Sequence, residues 1–203
     1  MKILTVSDQI EPALYDNFKI DRFPGINLII SCGDLPPEYL SFLVSSFNVP
    51  LYYVRGNHDI RHDGYRPDGC TDLDGKIEVY RGLRILGLEG SHWYNGQPHQ
   101  YTERQMRKKI RRVRTKIWRL KGLDIIITHA PPRHIHDAED QCHRGFESFR
   151  DLIDRYSPPY FIHGHMHFNY TEDARRMTLL NSTKVINSYG HYVFEISNDP
   201  RIG

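Results

Sequence analysis

The sequence predicts an α/β fold, and three features of the chain lead to this prediction. Short apolar runs, rich in β-branched and aromatic residues, recur along the 203 residues and are typical of buried strands. Segments with apolar residues at helical spacing lie between several of these runs. Carboxylate, amide and imidazole side chains follow five of the runs directly, and open α/β sheets assemble their sites at such strand ends.

Each of five predicted strands is followed by a polar segment. The strands cover residues 3–7, 28–32, 51–54, 125–127 and 160–162. The polar segments are, in the same order, Asp8, Gly33-Asp34, Gly56-Asn57-His58-Asp59, Thr128-His129 and His163-Gly164-His165-Met166-His167. Because buried strands place the side chains that follow them along one edge of a sheet, we expect the five segments to converge there.

Local patterns predict the remaining elements. Pro36 and Pro37 suit the start of a helix, and apolar residues at helical spacing continue it over 38–47. Residues 60–76 are polar and rich in glycine, which predicts a loop. We further expect a hairpin of strands over 77–80 and 83–88, a helix over 146–156 and closing strands within 177–196. Since no repeat, linker or boundary interrupts the chain, residues 1–203 are predicted to form a single domain.

The polar segments carry the ligand types of a metal site. His165 and His167 are two residues apart on an extended segment and therefore share one face. Imidazole is the commonest metal ligand, although an isolated pair of this kind often only satisfies hydrogen bonds in a core. The carboxylate, amide and imidazole groups of the other polar segments therefore favour a metal site over a histidine pair that only satisfies hydrogen bonds in a core.

Two ions account for these ligands better than one. Asp34 has two carboxylate oxygens and can bridge a pair of ions. One site would be completed by Asn57, His129 and His165, and the other by Asp8 and His167. Mixed oxygen and nitrogen ligands favour manganese, with iron or zinc as alternatives. The three cysteines lack the paired spacing of a cysteine-rich zinc site.

In order and spacing, these segments resemble the calcineurin-like metallophosphoesterase superfamily. Its motifs are Asp-x-His, Gly-Asp, Gly-Asn-His-Asp/Glu, a lone His and Gly-His-x-His, and the match runs from Asp8 to His167. The resemblance implies a four-layer αββα sandwich of two mixed β-sheets flanked by helices. It also implies a metal-dependent hydrolase of phosphate esters, either a phosphodiesterase or a phosphomonoesterase. In such an enzyme Asp34 would bridge two ions, a hydroxide between them would be the nucleophile and His58 would be the general acid.

The first motif departs from the family. Ile10 occupies the position where the family usually has a histidine, so the site of Asp8, Asp34 and His167 is predicted to bind its ion more weakly. An alternative is a catalytically weak or inactive scaffold for protein or nucleic-acid interaction, as in the retromer subunit that keeps this fold. Retention of the other ligands and of His58 favours an enzyme.

Four side chains near the predicted loops could bind a substrate phosphate. They are His143, Arg144, Arg61 and His62, and each offers a hydrogen-bond donor. Each could equally be a surface residue, and His143 is favoured because related enzymes often place substrate-facing histidines in the corresponding loop. Small phosphodiesters, phosphomonoesters, nucleotides and nucleic acids all remain open as substrates.

Residues 104–121 form a strongly basic segment outside the shared motifs. Ten of them are lysine or arginine, and apolar residues recur at helical spacing, which predicts an amphipathic cationic helix. Such a helix could attract nucleic acid, an anionic membrane surface or a polyanionic substrate. The simpler interpretation, which we favour from the sequence, is a packed helix with a solvated charged face.

Composition suggests an ordinary cytoplasmic protein. The net charge of +2 specifies no partner, and three cysteines without paired spacing fit a reducing compartment. A strand predicted within two residues of Met1 leaves no room for a secretory signal, and no apolar run has the length of a membrane span. We therefore expect a cytoplasmic location, and the totals specify no oligomeric state.

Overall fold

The computed structural model describes residues 1–168 and 176–196, in which two mixed β-sheets face each other. The first sheet has the strand order β13-β1-β2-β3-β4, and its strands are β1 (Lys2–Ser7), β2 (Ile26–Ser31), β3 (Leu51–Tyr53), β4 (Cys70–Asp72) and β13 (Gly190–Glu195). Strands β1 to β4 run parallel, and β13 pairs antiparallel with β1 at one edge.

The second sheet has the strand order β11-β12-β10-β9-β6-β5. Its strands are β5 (Ile77–Tyr80), β6 (Leu83–Leu88), β9 (Ile125–Thr128), β10 (Tyr160–His163), β11 (Met177–Leu180) and β12 (Thr183–Asn187). The four inner strands are parallel, whereas β5 and β11 are antiparallel edges. A short separate pair consists of β7 (Ser91–His92) and β8 (Gln100–Tyr101).

Helices cover the outer face of each sheet. The helix α1 (Pro37–Phe47) packs on the first sheet, while α2 (Glu103–Arg119) and α3 (Glu147–Tyr156) pack on the second. Ile125 and Ile127 face the space between the sheets, and Ile126 faces the helices, as the two-residue period of a strand requires. The predicted four-layer αββα sandwich is therefore confirmed.

Most predicted elements are present, and one prediction needs correction. The helices α1 and α3 and the β5–β6 hairpin lie where the sequence predicts them. The predicted loop over 60–76 instead contains most of a short 3₁₀ helix (Asp59–Asp63) and the strand β4. Because β4 is a three-residue edge strand with no buried residue, it has no apolar run to reveal it.

The basic segment forms α2, as predicted. Thr102 caps the helix in a capping box with Gln105, which satisfies backbone donors at the first turn. One face is buried in the core, comprising Met106, Ile110, Val113 and Ile117. Within the described ranges, no helix has the length and apolar character needed to cross a membrane.

A buried ionic cluster joins α2 to the loop after β3. Glu89 is 3 % exposed and accepts hydrogen bonds from Arg55 Nε (2.6 Å), from Lys109 Nζ (3.3 Å) and from the Tyr101 hydroxyl. Burial opposes ionisation of Glu89, but His99, Lys109 and Tyr101 together hold its pKa well below the usual range. The carboxylate is therefore the centre of this cluster.

Replacing Glu89 should destabilise the protein strongly. We expect Glu89→Ala to lower the free energy of unfolding by about 3–5 kcal/mol, because Arg55 and Lys109 would lose their shared buried partner. Urea denaturation followed by circular dichroism would measure the loss. Glu38→Ala is the matched control, since Glu38 pairs with Arg61 at the surface and should move the midpoint little. Similar midpoints for the two variants would contradict the assignment.

Candidate metal centre

The five polar segments meet at one edge of the sandwich, as predicted. Backbone contacts tie them together: Asp8 N donates to Gly33 O (3.1 Å) and Gly164 N donates to His129 O (2.9 Å). Side chains add further links, since Asp8 Oδ2 accepts from His165 N (2.9 Å). The structure thus gathers all six predicted metal ligands and His58 at the carboxyl ends of the parallel strands.

Four of the predicted ligands surround a single point. His129 Nε2 lies 3.0 Å from Asn57 Oδ1, 3.3 Å from Asp34 Oδ2 and 3.0 Å from His165 Nδ1. The ligand atoms of Asp34, His129 and His165 all lie within 4.8 Å of one another. These four residues form the inner site, in which His129 is fully buried.

The donor set of the inner site fits a cation. The outer ring nitrogens of its two histidines face backbone carbonyls, His129 Nδ1 at 2.7 Å from Cys32 O and His165 Nε2 at 2.7 Å from Cys142 O. Carbonyl oxygens only accept, so in the neutral rings these nitrogens carry the protons. The inner nitrogens then present lone pairs, together with the Asp34 and Asn57 oxygens. Four acceptors directed at one point match the ligand set of a divalent ion.

The charges at the inner site attract a cation, which in the metal-free chain is a proton on His129. Burial opposes protonation of His129, but the Asp34 carboxylate raises its pKa to about 9. Burial and the neighbouring His129 lower the pKa of His165 to about 4. Partial burial of Asp34 opposes its ionisation, yet His129 and the His58 backbone N–H hold its pKa well below the usual range. The carboxylate therefore draws positive charge to this point.

The other predicted site, here the outer site, is more open. Asp8 Oδ1 lies 3.4 Å from His167 Nε2, and the Asp8 side chain is 1 % exposed whereas that of His167 is 60 % exposed. The His167 ring stacks on Tyr189, with centroids 4.9 Å apart. Ile10 is 39 % exposed and has no ligand atom. The outer site therefore has fewer protein ligands and more contact with solvent than the inner site.

Asp59 organises the loops that carry the inner site. Its carboxylate accepts hydrogen bonds from the backbone N–H groups of Asp34 (2.7 Å), Leu35 (3.1 Å) and Gly56 (2.8 Å). Sequence reasoning assigned no separate role to Asp59, although its place as the last residue of the Gly-Asn-His-Asp motif was a usable signal. His58, one residue earlier, is exposed at the rim, and its backbone N–H donates to Asp34 Oδ1 (2.8 Å).

Gly56 allows the two loops to approach each other closely. A Cβ atom at this position would lie 2.0 Å from Asp34 Oδ1 and 2.6 Å from His129 Cε1. No side chain can be accommodated there without moving a predicted ligand.

Gly56→Ala should therefore disrupt the inner site. We expect lower metal content and loss of most metal-dependent activity, because Asp34 must move away from the ligand cluster. Metal analysis of the purified variant would measure this. Gly64→Ala lies in the same loop, where the nearest atom would be 4.0 Å away, and should behave like the unmodified protein. Normal metal content in Gly56→Ala would exclude this arrangement of Asp34.

The predicted substrate residues lie in different environments. The His143 ring is 5.3 Å from the His165 ring and is hydrogen-bonded to Asp140, so it borders the inner site. Arg144 is exposed in the same loop. Arg61 is exposed and its side chain pairs with Glu38 (2.5 Å).

His62 contradicts the prediction of a substrate contact. It is 2 % exposed, and its Nε2 lies 2.9 Å from Leu35 O and 3.5 Å from Asp59 Oδ1. The 3₁₀ helix of residues 59–63 turns this side chain inward, and no sequence pattern revealed that turn. A contact that sequence reasoning missed is Tyr94, whose hydroxyl accepts from Asn57 Nδ2 (3.1 Å). No local signal marks Tyr94, because it is brought to Asn57 only by folding.

Comparison with known proteins identifies the family. The family model described as calcineurin-like phosphoesterase matches residues 1–169, and the chain belongs to this family. No curated protein sequence is significantly similar to the chain.

Several solved structures share the fold. A dimetal phosphatase from Danio rerio superposes with a TM-score of 0.62 at 13 % identity, covering 95 % of this chain and 91 % of the other. Phosphopantetheinyl hydrolase from Mycobacterium tuberculosis gives 0.60 at 15 % identity, covering 98 % and 97 %. The protein TT1561 of Thermus thermophilus gives 0.64 at 17 % identity, covering 93 % and 89 %. At these identities the likeness establishes the fold alone.

Proposed function

We propose that this protein hydrolyses small phosphate esters at a centre of two divalent metal ions. The observation that carries the proposal is the inner site, where four acceptor atoms from four separate segments converge on one point. In the metal-free chain a proton on His129 satisfies part of this acceptor set, and a divalent ion bound at the same point would satisfy all four acceptors at once. The phosphatase and hydrolase named among the structural relatives support the same class of reaction.

The residues divide between two ions. Asp34, Asn57, His129 and His165 would hold the inner ion, while Asp8, Asp34 and His167 would hold the outer one. Manganese is the proposed ion, with iron or zinc as alternatives, because the ligands mix oxygen and nitrogen without cysteine. Bound by these residues, such ions would supply Lewis-acid polarisation of a phosphoryl group and would lower the pKa of a water molecule.

The side chains at the rim perform the remaining steps. His58 is exposed beside the inner site and is proposed to donate a proton to the leaving-group oxygen. The Asp34 carboxylate accepts from the His58 backbone N–H, and Asp59 accepts from the backbone N–H of Gly56, two residues earlier. Both carboxylates therefore fix the backbone from which the His58 ring projects. His143, beside His165, is proposed to donate a hydrogen bond to a substrate oxygen.

An activity panel tests the proposal. The purified protein would be assayed with manganese, iron or zinc against bis(p-nitrophenyl) phosphate, a diester, and p-nitrophenyl phosphate, a monoester. We expect turnover that requires added metal and disappears with a chelator. Absence of metal-dependent turnover with every ion, together with normal folding, would favour the scaffold interpretation instead.

Restoring the family histidine should strengthen the outer site. We expect metal titration of the unmodified protein to show two affinities, the weaker belonging to Asp8, Asp34 and His167. Ile10→His should tighten the weaker site and lower the metal concentration needed for activity, by adding one imidazole ligand. The maximal rate need not rise, since the new ligand takes a coordination position from water or substrate.

Ile20→His is the matched control for this change. Ile20 is also an exposed apolar residue, and a histidine there should leave both affinities unchanged. Equal and tight affinities in the unmodified protein would mean that another residue already replaces the missing histidine.

A further inference from the structure

The outer face of α2 carries a dense row of positive charge. Five exposed basic residues line this face: Arg104, Lys108, Arg111, Arg112 and Arg119. From 104 to 121 the chain contains no aspartate or glutamate, so the i,i+4 neighbours on this face repel each other. We refer to these five residues as the basic strip.

The acidic residues near α2 do not neutralise the basic strip. Glu103 and Asp151 both pair with Arg107, which lies to one side of the strip. Glu103 also accepts from the backbone N–H groups at the start of α3. Within residues 1–168 and 176–196, no ion pair involves a member of the basic strip. The strip therefore presents a net positive field along about 22 Å of helix, with Asp151 and Asp154 lining the same groove as Arg111.

An aromatic side chain adjoins the strip. Trp118 is 77 % exposed, and its helical position places it beside Arg111 and Arg114. Exposure of a tryptophan to water carries a hydrophobic cost that a folded protein normally avoids by burying the ring. An aromatic ring next to a row of cations is the combination that binds single-stranded nucleic acid, through base stacking and phosphate contacts.

The packing of α2 argues against a membrane as the ligand. An interfacial helix inserts an apolar face into the lipid, but the apolar face of α2 is already buried in the protein core. Only Trp118 remains as a large apolar side chain on the outer face of the helix. Attraction through charge and stacking is therefore available, whereas insertion is not.

We infer that the basic strip and Trp118 bind single-stranded nucleic acid. The first turn of α2 follows β8, and Tyr101 at the end of β8 reaches Arg55 through Glu89. Arg55 directly precedes Gly56 and the predicted ligand Asn57. A nucleic-acid strand lying along α2 would therefore run toward the edge of the sandwich that carries the metal centre. The inference rests on α2 alone and does not require the proposed hydrolysis.

Binding of a fluorescein-labelled oligothymidylate of about 20 nucleotides to the full chain tests this inference by fluorescence anisotropy. With three to five phosphate contacts to a single strand, the affinity should fall roughly 20- to 130-fold between 50 and 200 mM salt. Arg111→Glu combined with Arg112→Glu should weaken binding at least about tenfold and make the salt dependence shallower. Trp118→Ala should weaken binding about 5- to 100-fold and leave the salt dependence unchanged.

Matched controls distinguish an effect of the basic strip on binding from an effect of net charge alone. Lys19→Glu combined with Arg22→Glu changes the net charge equally at an exposed, distant site and should leave binding nearly unchanged. A gel that shows intact probe keeps binding separate from hydrolysis. Equal losses in both double variants would overturn the inference. So would no binding at low salt, binding only to vesicles of phosphatidylcholine and phosphatidylserine, or a Trp118→Ala variant that binds like the unmodified protein.

Discussion

Asp34→Ala should remove metal from both sites and reduce turnover to background, by at least about a thousandfold. Asp34 Oδ2 lies 3.3 Å from His129 Nε2 in the inner site, and the same carboxylate is proposed to bridge to the outer ion. Loss of both ions removes several kcal/mol of transition-state stabilisation together with the source of the nucleophile. Metal analysis and turnover of bis(p-nitrophenyl) phosphate would be measured on the same preparation.

Two further variants test this interpretation of Asp34, one at the same position and one as a control. Asp34→Asn keeps an oxygen that can accept from His58 N but removes the negative charge, so it should retain the loop structure and still lose metal. Asp21→Ala removes an exposed carboxylate and should change neither quantity. A full complement of metal in Asp34→Ala would exclude Asp34 as a bridging ligand.

His58→Ala should cut turnover by roughly two to four orders of magnitude and leave metal content nearly intact. His58 is exposed at the rim and contributes its backbone N–H, not its ring, to the Asp34 contact, so alanine preserves that contact. The loss should be smaller with a substrate whose leaving group is a weak base, because such a group needs little help from an acid.

Asn57→Ala is the comparison for this prediction. Asn57 is buried, with its amide oxygen 3.0 Å from His129 Nε2, and its replacement should lower metal content as well as turnover. If His58→Ala also lost its metal, or if the loss of rate were the same for every leaving group, His58 would have a structural role and the acid would be another group.

The local sequence pattern was sufficient to predict a candidate ligand wherever a buried strand is followed by a polar side chain. Ile125 to Ile127 are buried on both faces, and His129 follows them at the sheet edge, so apolar run and ligand are neighbours in sequence. Position 62 shows the limit of such reasoning. His62 and His58 look alike in sequence, but His62 lies within the 3₁₀ helix of residues 59–63 and is buried, whereas His58 precedes that helix and is exposed.

The histidines of the 163–167 segment have different environments, and this difference is apparent only in the folded chain. His165 Nδ1 faces the inner site, whereas His163 is fully buried and its Nε2 lies 2.9 Å from His136 Nδ1. Burial lowers the pKa of His163 well below its usual value, so this ring is neutral. Its partner lies 27 residues away in another loop, which no periodicity of the sequence encodes.

Residue order alone specifies the ligand types, their succession along the chain and their positions after the strands, because apolar periodicity and strand ends are local properties. How those ligands are held depends on the folded chain. The carbonyls that orient His129 and His165 belong to Cys32, 97 residues away, and to Cys142, 23 residues away. Such hydrogen bonds depend on how the two sheets and their loops pack, and that packing is a property of the whole chain.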